Sequence, residues 1–470
     1  MALLLKGARL VDPAAGLDEV ADIVVRDGRI EEIGPSLSMA KGVTRDLSGM
    51  LVVPGLVDLH VHLRDPGQEY KEDIVSGAAA AAAGGFTDIV CMPNTVPVCD
   101  SAAQVSYILE KAAAHPGARV HVAGALTAGS RGEALAEMGD MARAGAVAFS
   151  DDGYGVQDSG MMRRAMDYAR GLGKPLLSHC QFADITAAGM VNEGVVSTRL
   201  GLGGWPAQGE EMQIARDIAL CELTGCQLHI QHITTARGVE LVRAAKAAGL
   251  PVTCEVTPHH LFLCEDDITE EYDTNLKVNP PLRTRADMLA LRRALIAGDI
   301  DCVATDHAPH APHEKALEFE LAPFGMTGLE TALSLMLTEL VEDVEADGAA
   351  GAAAGVATDA EAAAGAAAVG VVGTEAAATT ADAAGESGAS LALLVERMAH
   401  APRRILGLEP VSLKPGSSAD LTVIDPTLEW TVGEEGFVSR SRNSGFLGRR
   451  LRGRAIAVYI AGYQPSDQAG

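Results

Sequence analysis

The sequence predicts an α/β protein: a (β/α)8 TIM barrel with a small β-sandwich domain formed by both termini. Three observations predict it. From residue 56 onward, short β-branched runs alternate with Ala-rich helical stretches, and there are eight such runs. Strands that alternate with helices are parallel and joined by right-handed crossovers, and eight units close into a barrel. The two ends of the chain instead carry short strands and turns, and neither end has enough strand to stand alone.

Residues 1–55 contain LLLKGARLVD, ADIVVRDGRIEEIG and TRDLSGMLVVPG, with DGRI as a hairpin signal. Residues 411–462 contain SLKPGSSADLTVIDP and RGRAIAVYIAGY. The expected composite domain is 1–55 plus 405–470, beside a barrel over 56–404. The barrel strands are expected at 56–63, 86–93, 119–126, 146–152, 175–180, 227–233, 252–260 and 301–309. Helical stretches such as KEDIVSGAAAAAAGG, QVSYILEKAAAHPG and TARGVELVRAAKAAG lie between them and close on glycine, as helix ends often do. Residues 341–390 differ: 21 alanines, 8 glycines, nine acids and no base. With almost no large apolar side chain, this stretch cannot bury a core and reads as a flexible insertion.

The net charge of −26 argues against nucleic acid or an anionic membrane surface as a partner. No apolar run approaches the roughly 18 residues of a membrane span. The opening MALLLKGARL is too short for a signal peptide, and the eight cysteines form no Cys-x-x-Cys pair. A reducing cytoplasm is the expected location.

The chemistry begins in LVVPGLVDLHVHLRDPG, residues 51–67. Side chains two apart in a strand share a face, so His60, His62 and Arg64 lie together with Asp58. Two imidazoles beside a guanidinium make sense if the imidazoles are neutral and hold a cation while the guanidinium awaits an anion. The other strand ends add Asp151 and Asp152, His179, His232 and Asp306. The carboxyl ends of barrel strands converge on one mouth. Imidazoles and carboxylates without thiolate suit zinc, or manganese, cobalt or iron. Six ligands are too many for one catalytic zinc with an open position, but they fit two cations sharing a bridge. The best division gives His60, His62 and Asp306 to one and His179 and His232 to the other, with Asp152 bridging. Asp151 competes for that bridge. Two cations make hydroxide from a shared water at neutral pH, and Asp306 can shuttle the proton to a leaving nitrogen. His115 and His121 have no such company. His259, His260, His307 and His310 lie at the same mouth beyond the ligand count, and at least one is expected to touch substrate or support a ligand.

DLHVHLRDPG, MPNT, FSDDG, SHC, HITT, VTPHHL, NPPLR, ATDHAPH and APFGMTGLET together resemble the class I bacterial dihydroorotases of the amidohydrolase superfamily, from about residue 1 to 340 and again from 391 to 462. The resemblance implies reversible hydrolysis of L-dihydroorotate to N-carbamoyl-L-aspartate, a step of pyrimidine biosynthesis, with zinc, two ions per subunit. It assigns the metal to His60, His62, Asp152, His179, His232 and Asp306, and the catalytic proton transfer to Asp306. It assigns the substrate carboxylate to Arg64, Asn94 and His310, and the ring to Asn279 and the backbone of Phe324 and Gly325, with His62 also counted among the substrate contacts. Many cyclic amidohydrolases bridge their metals with a carboxylated lysine at the end of strand four. AFSDDGYG has none, which counts against a hydantoinase or allantoinase. A homodimer is expected on the same grounds, and association with aspartate transcarbamoylase is left open. A non-catalytic scaffold is disfavoured because all six ligands are kept.

Overall fold

In the computed structural model, which describes residues 2–186, 188–341 and 389–465, eight short parallel strands form one sheet. They are β1 (Leu56–Val61), β2 (Phe86–Cys91), β3 (Arg119–Gly124), β4 (Ala148–Ser150), β5 (Leu176–Ser178), β6 (Leu228–Ile230), β7 (Val252–Val256) and β8 (Cys302–Val303), paired in sequence order. β1, β2, β4, β5, β6 and β8 are buried along their whole length. This is the pattern of parallel strands covered on both faces, and it explains why their sequences are apolar runs rather than alternations.

The seam between β8 and β1 is closed without a long ladder. The His62 amide donates to His307 O (2.9 Å), and Val61 bridges His307 in parallel. Behind it, the Thr305 amide donates to the Asp58 carboxylate (3.1 Å). Burial pushes the Asp58 carboxyl up to about 7, against hydrogen bonds from Thr305 and the His60 amide.

The strands are shorter than the apolar runs that announce them. The chain leaves the ladder at the residues that matter most: His232 and Asp306 have φ of 31° and 47°, and Arg64 has φ of 60°. Non-glycine residues seldom enter this left-handed region, and they cluster at functional sites when they do. A turn there swings the side chain out of the barrel wall toward the mouth.

The first crossover helix, Ile74–Ala83, is capped by Asp73, whose carboxylate accepts the Ser76 amide (2.8 Å) while Ser76 Oγ accepts the Asp73 amide (3.2 Å). Its alanine-rich face permits close approach to the barrel. A Cβ on Gly77 would lie 2.4 Å from Leu63 Cδ2.

The termini join in a second, mostly antiparallel sheet of seven strands, ordered Arg450–Tyr459, Leu421–Thr431, Leu51–Pro54, Ala2–Asp12, Leu17–Arg26, Arg29–Gly34, with Val43–Asp46 beside Ala2–Asp12. Leu51–Pro54 pairs antiparallel with Leu421–Ile424, so the two ends of the chain meet directly. Their strands surround a core of their own that includes Leu5, Leu10, Ile23, Val52, Leu421 and Val423. Arg119 on β3 ties this sheet to the barrel, donating to Asp88 (3.0 Å) and Asp420 (2.5 Å). Residues 342–388, where the alanine- and glycine-rich insertion is expected, lie outside the described residues.

Candidate metal centre and the cavity beside it

Five strand ends deliver their side chains to one buried cluster. His60 Nε2 lies 3.3 Å from Asp152 Oδ1 and 3.6 Å from Asp306 Oδ1. His62 Nε2 lies 2.9 Å from Asp306 Oδ1 and 3.5 Å from Asp152 Oδ2. His179 Nδ1 and His232 Nε2 stand 3.4 and 3.7 Å from Asp152 Oδ1 and face each other at 2.8 Å. Among the described residues, Asp152 is therefore the one carboxylate within reach of all four imidazoles. Ligand atoms of His60, His62 and Asp306 lie within 4.8 Å of one another, and so do those of His60, Asp152 and His232.

Asp151 does not compete. Its Oδ1 accepts the amides of Leu126 (2.8 Å) and Thr127 (3.1 Å), and Thr127 Oγ1 donates to its other oxygen. It fastens the end of β3 to the end of β4 and faces away from the imidazoles.

The donor set fits divalent cations. His60 Nε2 and Asp152 Oδ1 are buried, close, and without a hydrogen-bond partner. Two imidazole nitrogens aimed at each other, as in His179 and His232, need a shared proton or a cation between them. Burial alone would depress the His60 imidazole, yet Asp152, Glu255 and Asp306 hold it well above its ordinary value. Burial would raise Asp152, but the His60 charge keeps it far down. This is the field a cation would occupy.

Behind the cluster stands a carboxylate that the strand pattern does not reveal. Glu255, in the middle of VTCEV, accepts from His60 Nδ1 (2.7 Å) and from His229 Nε2 (3.2 Å). Burial acts to raise it, but the charge on His60 and the hydrogen bonds of His229 and His60 bring it down to about 2. With a cation in place of the second proton, an ionised acceptor on Nδ1 would leave Nε2 as the lone-pair nitrogen facing the cluster. The only hint in the sequence is a lone acid inside an apolar strand. Cys302 lies close to His229 and Glu255, but burial raises its thiol well above the ordinary value.

A cavity of about 140 Å³ opens beside the cluster. It is lined by His62, Asp152, His179, His232 and Asp306 and by every substrate contact implied by the resemblance: Arg64, Asn94, Asn279, His310, Phe324 and Gly325. Arg64 has no carboxylate partner among the described residues. Asp65 pairs with Lys111 (2.6 Å) and Asp73 with Arg440 (2.6 Å), and the Arg64 Nε donates only to Pro309 O (3.2 Å). Asn94 Oδ1 accepts from His62 Nδ1 (2.8 Å), and its amide donates to Asp152 Oδ2 (3.3 Å). Asn279 donates to Gln181 Oε1 (3.2 Å), which also accepts from His179 Nε2 (2.9 Å), and Asn279 Oδ1 is left unpartnered. His310 donates from Nε2 to Phe324 O (2.8 Å), and burial together with Arg64 keeps its pKa far below the ordinary value.

The remaining histidines of the mouth do not line the cavity. His260 bonds Thr257 Oγ1 (2.7 Å) and Pro280 O (3.0 Å), and His307 Nδ1 accepts the Gly328 amide (3.2 Å). His259 is buried outside the cavity lining, and burial lowers it to about 4. His121 pairs with Asp88 (2.9 Å), away from the cluster.

The family described as "Dihydro-orotase-like" matches residues 49–238. The chain is 46% identical to a dihydroorotase of Geobacter metallireducens, covering 98% of this chain and 99% of that one. It is 47% identical to a dihydroorotase of Pelotomaculum thermopropionicum, covering 98% of each. Among solved structures, an L-hydantoinase (dihydropyrimidinase) from Arthrobacter aurescens superposes with a TM-score of 0.78 at 25% identity, over 98% of this chain and 95% of that one. The barrel, the terminal sheet and full-length identity to these relatives place the chain in the dihydroorotase family.

Proposed function

We propose that the chain is a zinc-dependent dihydroorotase of the class I type, interconverting L-dihydroorotate and N-carbamoyl-L-aspartate. One observation carries this reading. A guanidinium without a carboxylate partner, Arg64, shares a small cavity with three imidazoles and two carboxylates suited to cations. A substrate that satisfies both halves is a small cyclic amide bearing a carboxylate.

His60, His62 and Asp306 would hold one zinc and His179 and His232 the other, with Asp152 between them. Bound zinc supplies Lewis acidity, polarising the ring carbonyl and making water a nucleophile at neutral pH. Arg64 grips the substrate carboxylate through charge-assisted hydrogen bonds, helped by Asn94 and His310. Asn279 Oδ1 and the backbone of Phe324 and Gly325 orient the ring. The water oxygen bonds to the ring carbonyl carbon and the C–N bond breaks. Asp306 takes a proton from the water and returns one to the leaving nitrogen. Burial would raise the Asp306 carboxyl, but the His60 charge lowers it.

Among the described residues no helix is long and apolar enough to cross a membrane, and the eight cysteines are free and buried. Both support a cytoplasmic enzyme.

The test is turnover by the purified, zinc-loaded protein, followed by the absorbance of the ring in both directions. Interconversion is expected. Absence of turnover with zinc bound, or preference for a hydantoin lacking the carboxylate, would overturn the reading.

A further inference from the structure

We infer that Asn443 is a positioning residue for substrate, contributed to the mouth of the barrel by the C-terminal segment rather than by any strand end. The inference rests on the proposed reaction and deepens it.

Residues 438–443 leave the terminal sheet and run along the barrel mouth. Ser439 donates from Oγ to Glu72, Ser441 from Oγ to Lys71 O (2.6 Å), and Arg440 pairs with Asp73. Asn443 is buried. Its Oδ1 accepts the His310 amide (3.0 Å), and its Nδ2 donates to Ala308 O (3.2 Å) and Gly325 O (3.1 Å). Its backbone oxygen accepts the Thr327 amide (2.8 Å). One side chain thus ties together two loops, 308–310 and 324–327. The first carries His310 of the carboxylate subsite, and the second carries Phe324 and Gly325 of the ring subsite.

The two loops approach closely. A Cβ on Gly325 (φ 129°) would lie 2.7 Å from Ala308 Cβ and 3.2 Å from His310 Nε2. A planar amide with one acceptor and two donors matches a gap that offers one N–H and two carbonyls, and no other side chain of that size does. Asn443 touches none of the cation ligands, so removing it should spare the metal and the proton transfer. It should loosen the distance between the two halves of the substrate cradle, and displacements of about 1 Å in such a frame are costly to binding.

The experiment compares Asn443→Ala and Asn443→Asp with Ser441→Ala, which breaks a bond of the same segment away from the cradle. Each zinc-loaded protein is assayed in both directions, with zinc content and melting temperature measured alongside. Both Asn443 variants should raise KM at least about tenfold, with kcat changed less than threefold and zinc content unchanged. Ser441→Ala should leave KM alone. Because the overall equilibrium is fixed, kcat/KM should fall by the same factor in both directions. Unchanged KM in a folded Asn443 variant, or an equal rise in Ser441→Ala, would overturn the inference. If the alanine variant does not fold, the nearly isosteric aspartate variant decides on the same criteria. A wild-type protein that fails to turn over dihydroorotate would instead overturn the functional reading.

Discussion

Asp151 and Asp152 are neighbours in sequence and opposite in role: Asp151 binds the amides of Leu126 and Thr127, while Asp152 lies among four imidazoles. Asp151→Ala leaves the buried amides of Leu126 and Thr127 without their acceptor. It should lower stability by about 1–3 kcal/mol while leaving zinc bound. Asp152→Ala should lose zinc and turnover together with a smaller change in melting temperature. Calorimetry and elemental analysis of the two purified variants check the contrast.

Asp306 and Arg64 should separate in steady-state kinetics. Asp306→Asn removes the proton carrier and should reduce kcat by roughly 10²–10⁴. Arg64→Lys keeps the charge but loses the planar fork, and should raise KM about 10- to 100-fold with a smaller effect on kcat. A rise in KM for the first, or a collapse of kcat alone for the second, would reverse the roles assigned to them.

Glu255→Gln keeps an oxygen for His60 Nδ1 but removes the charge behind it. Zinc affinity should fall about 10- to 100-fold. Titration of the metal-free protein with zinc measures this without reference to turnover.

Lys315 gives a pH-dependent signature. Its ammonium donates to Thr274 O (2.9 Å) and Pro323 O (2.8 Å), and burial, reinforced by Lys277, lowers its pKa to about 7. The unfolded chain then binds this proton between about 7 and the ordinary 10.5, where the folded chain does not. Its contribution to stability therefore rises with pH across that window and is least below 7. Lys315→Met should flatten the dependence of melting temperature on pH between 7 and 10, relative to the unmodified protein.

Much of this was legible in the sequence for geometric reasons. Parallel strands buried on both faces write themselves as apolar runs, and a barrel gathers its carboxyl strand ends, so His60, His62, His179, His232 and Asp306 could be grouped without a structure. The choice between Asp151 and Asp152 was not legible, because adjacent residues at a turn differ only in which way the backbone swings. Strand lengths were overread where Asp306 and His232 adopt left-handed φ, since a turn residue looks like one more strand residue in the sequence. Glu255 is marked only as a lone acid inside an apolar strand, and Asn443 meets His310 across 133 residues.

The bridge between Val341 and Ala389 has an engineering consequence. The Ala389 amide donates to Leu340 O (2.8 Å), so the chain departs and returns at one point, after the helix Ala332–Glu339 has carried it away from the mouth. The frame on either side does not need the intervening polypeptide to span any gap. Joining the ends of such a loop costs only about 0.6 kcal/mol more for each doubling of its length. The junction is thus a natural splice point at which a reporter domain or a short turn could be joined.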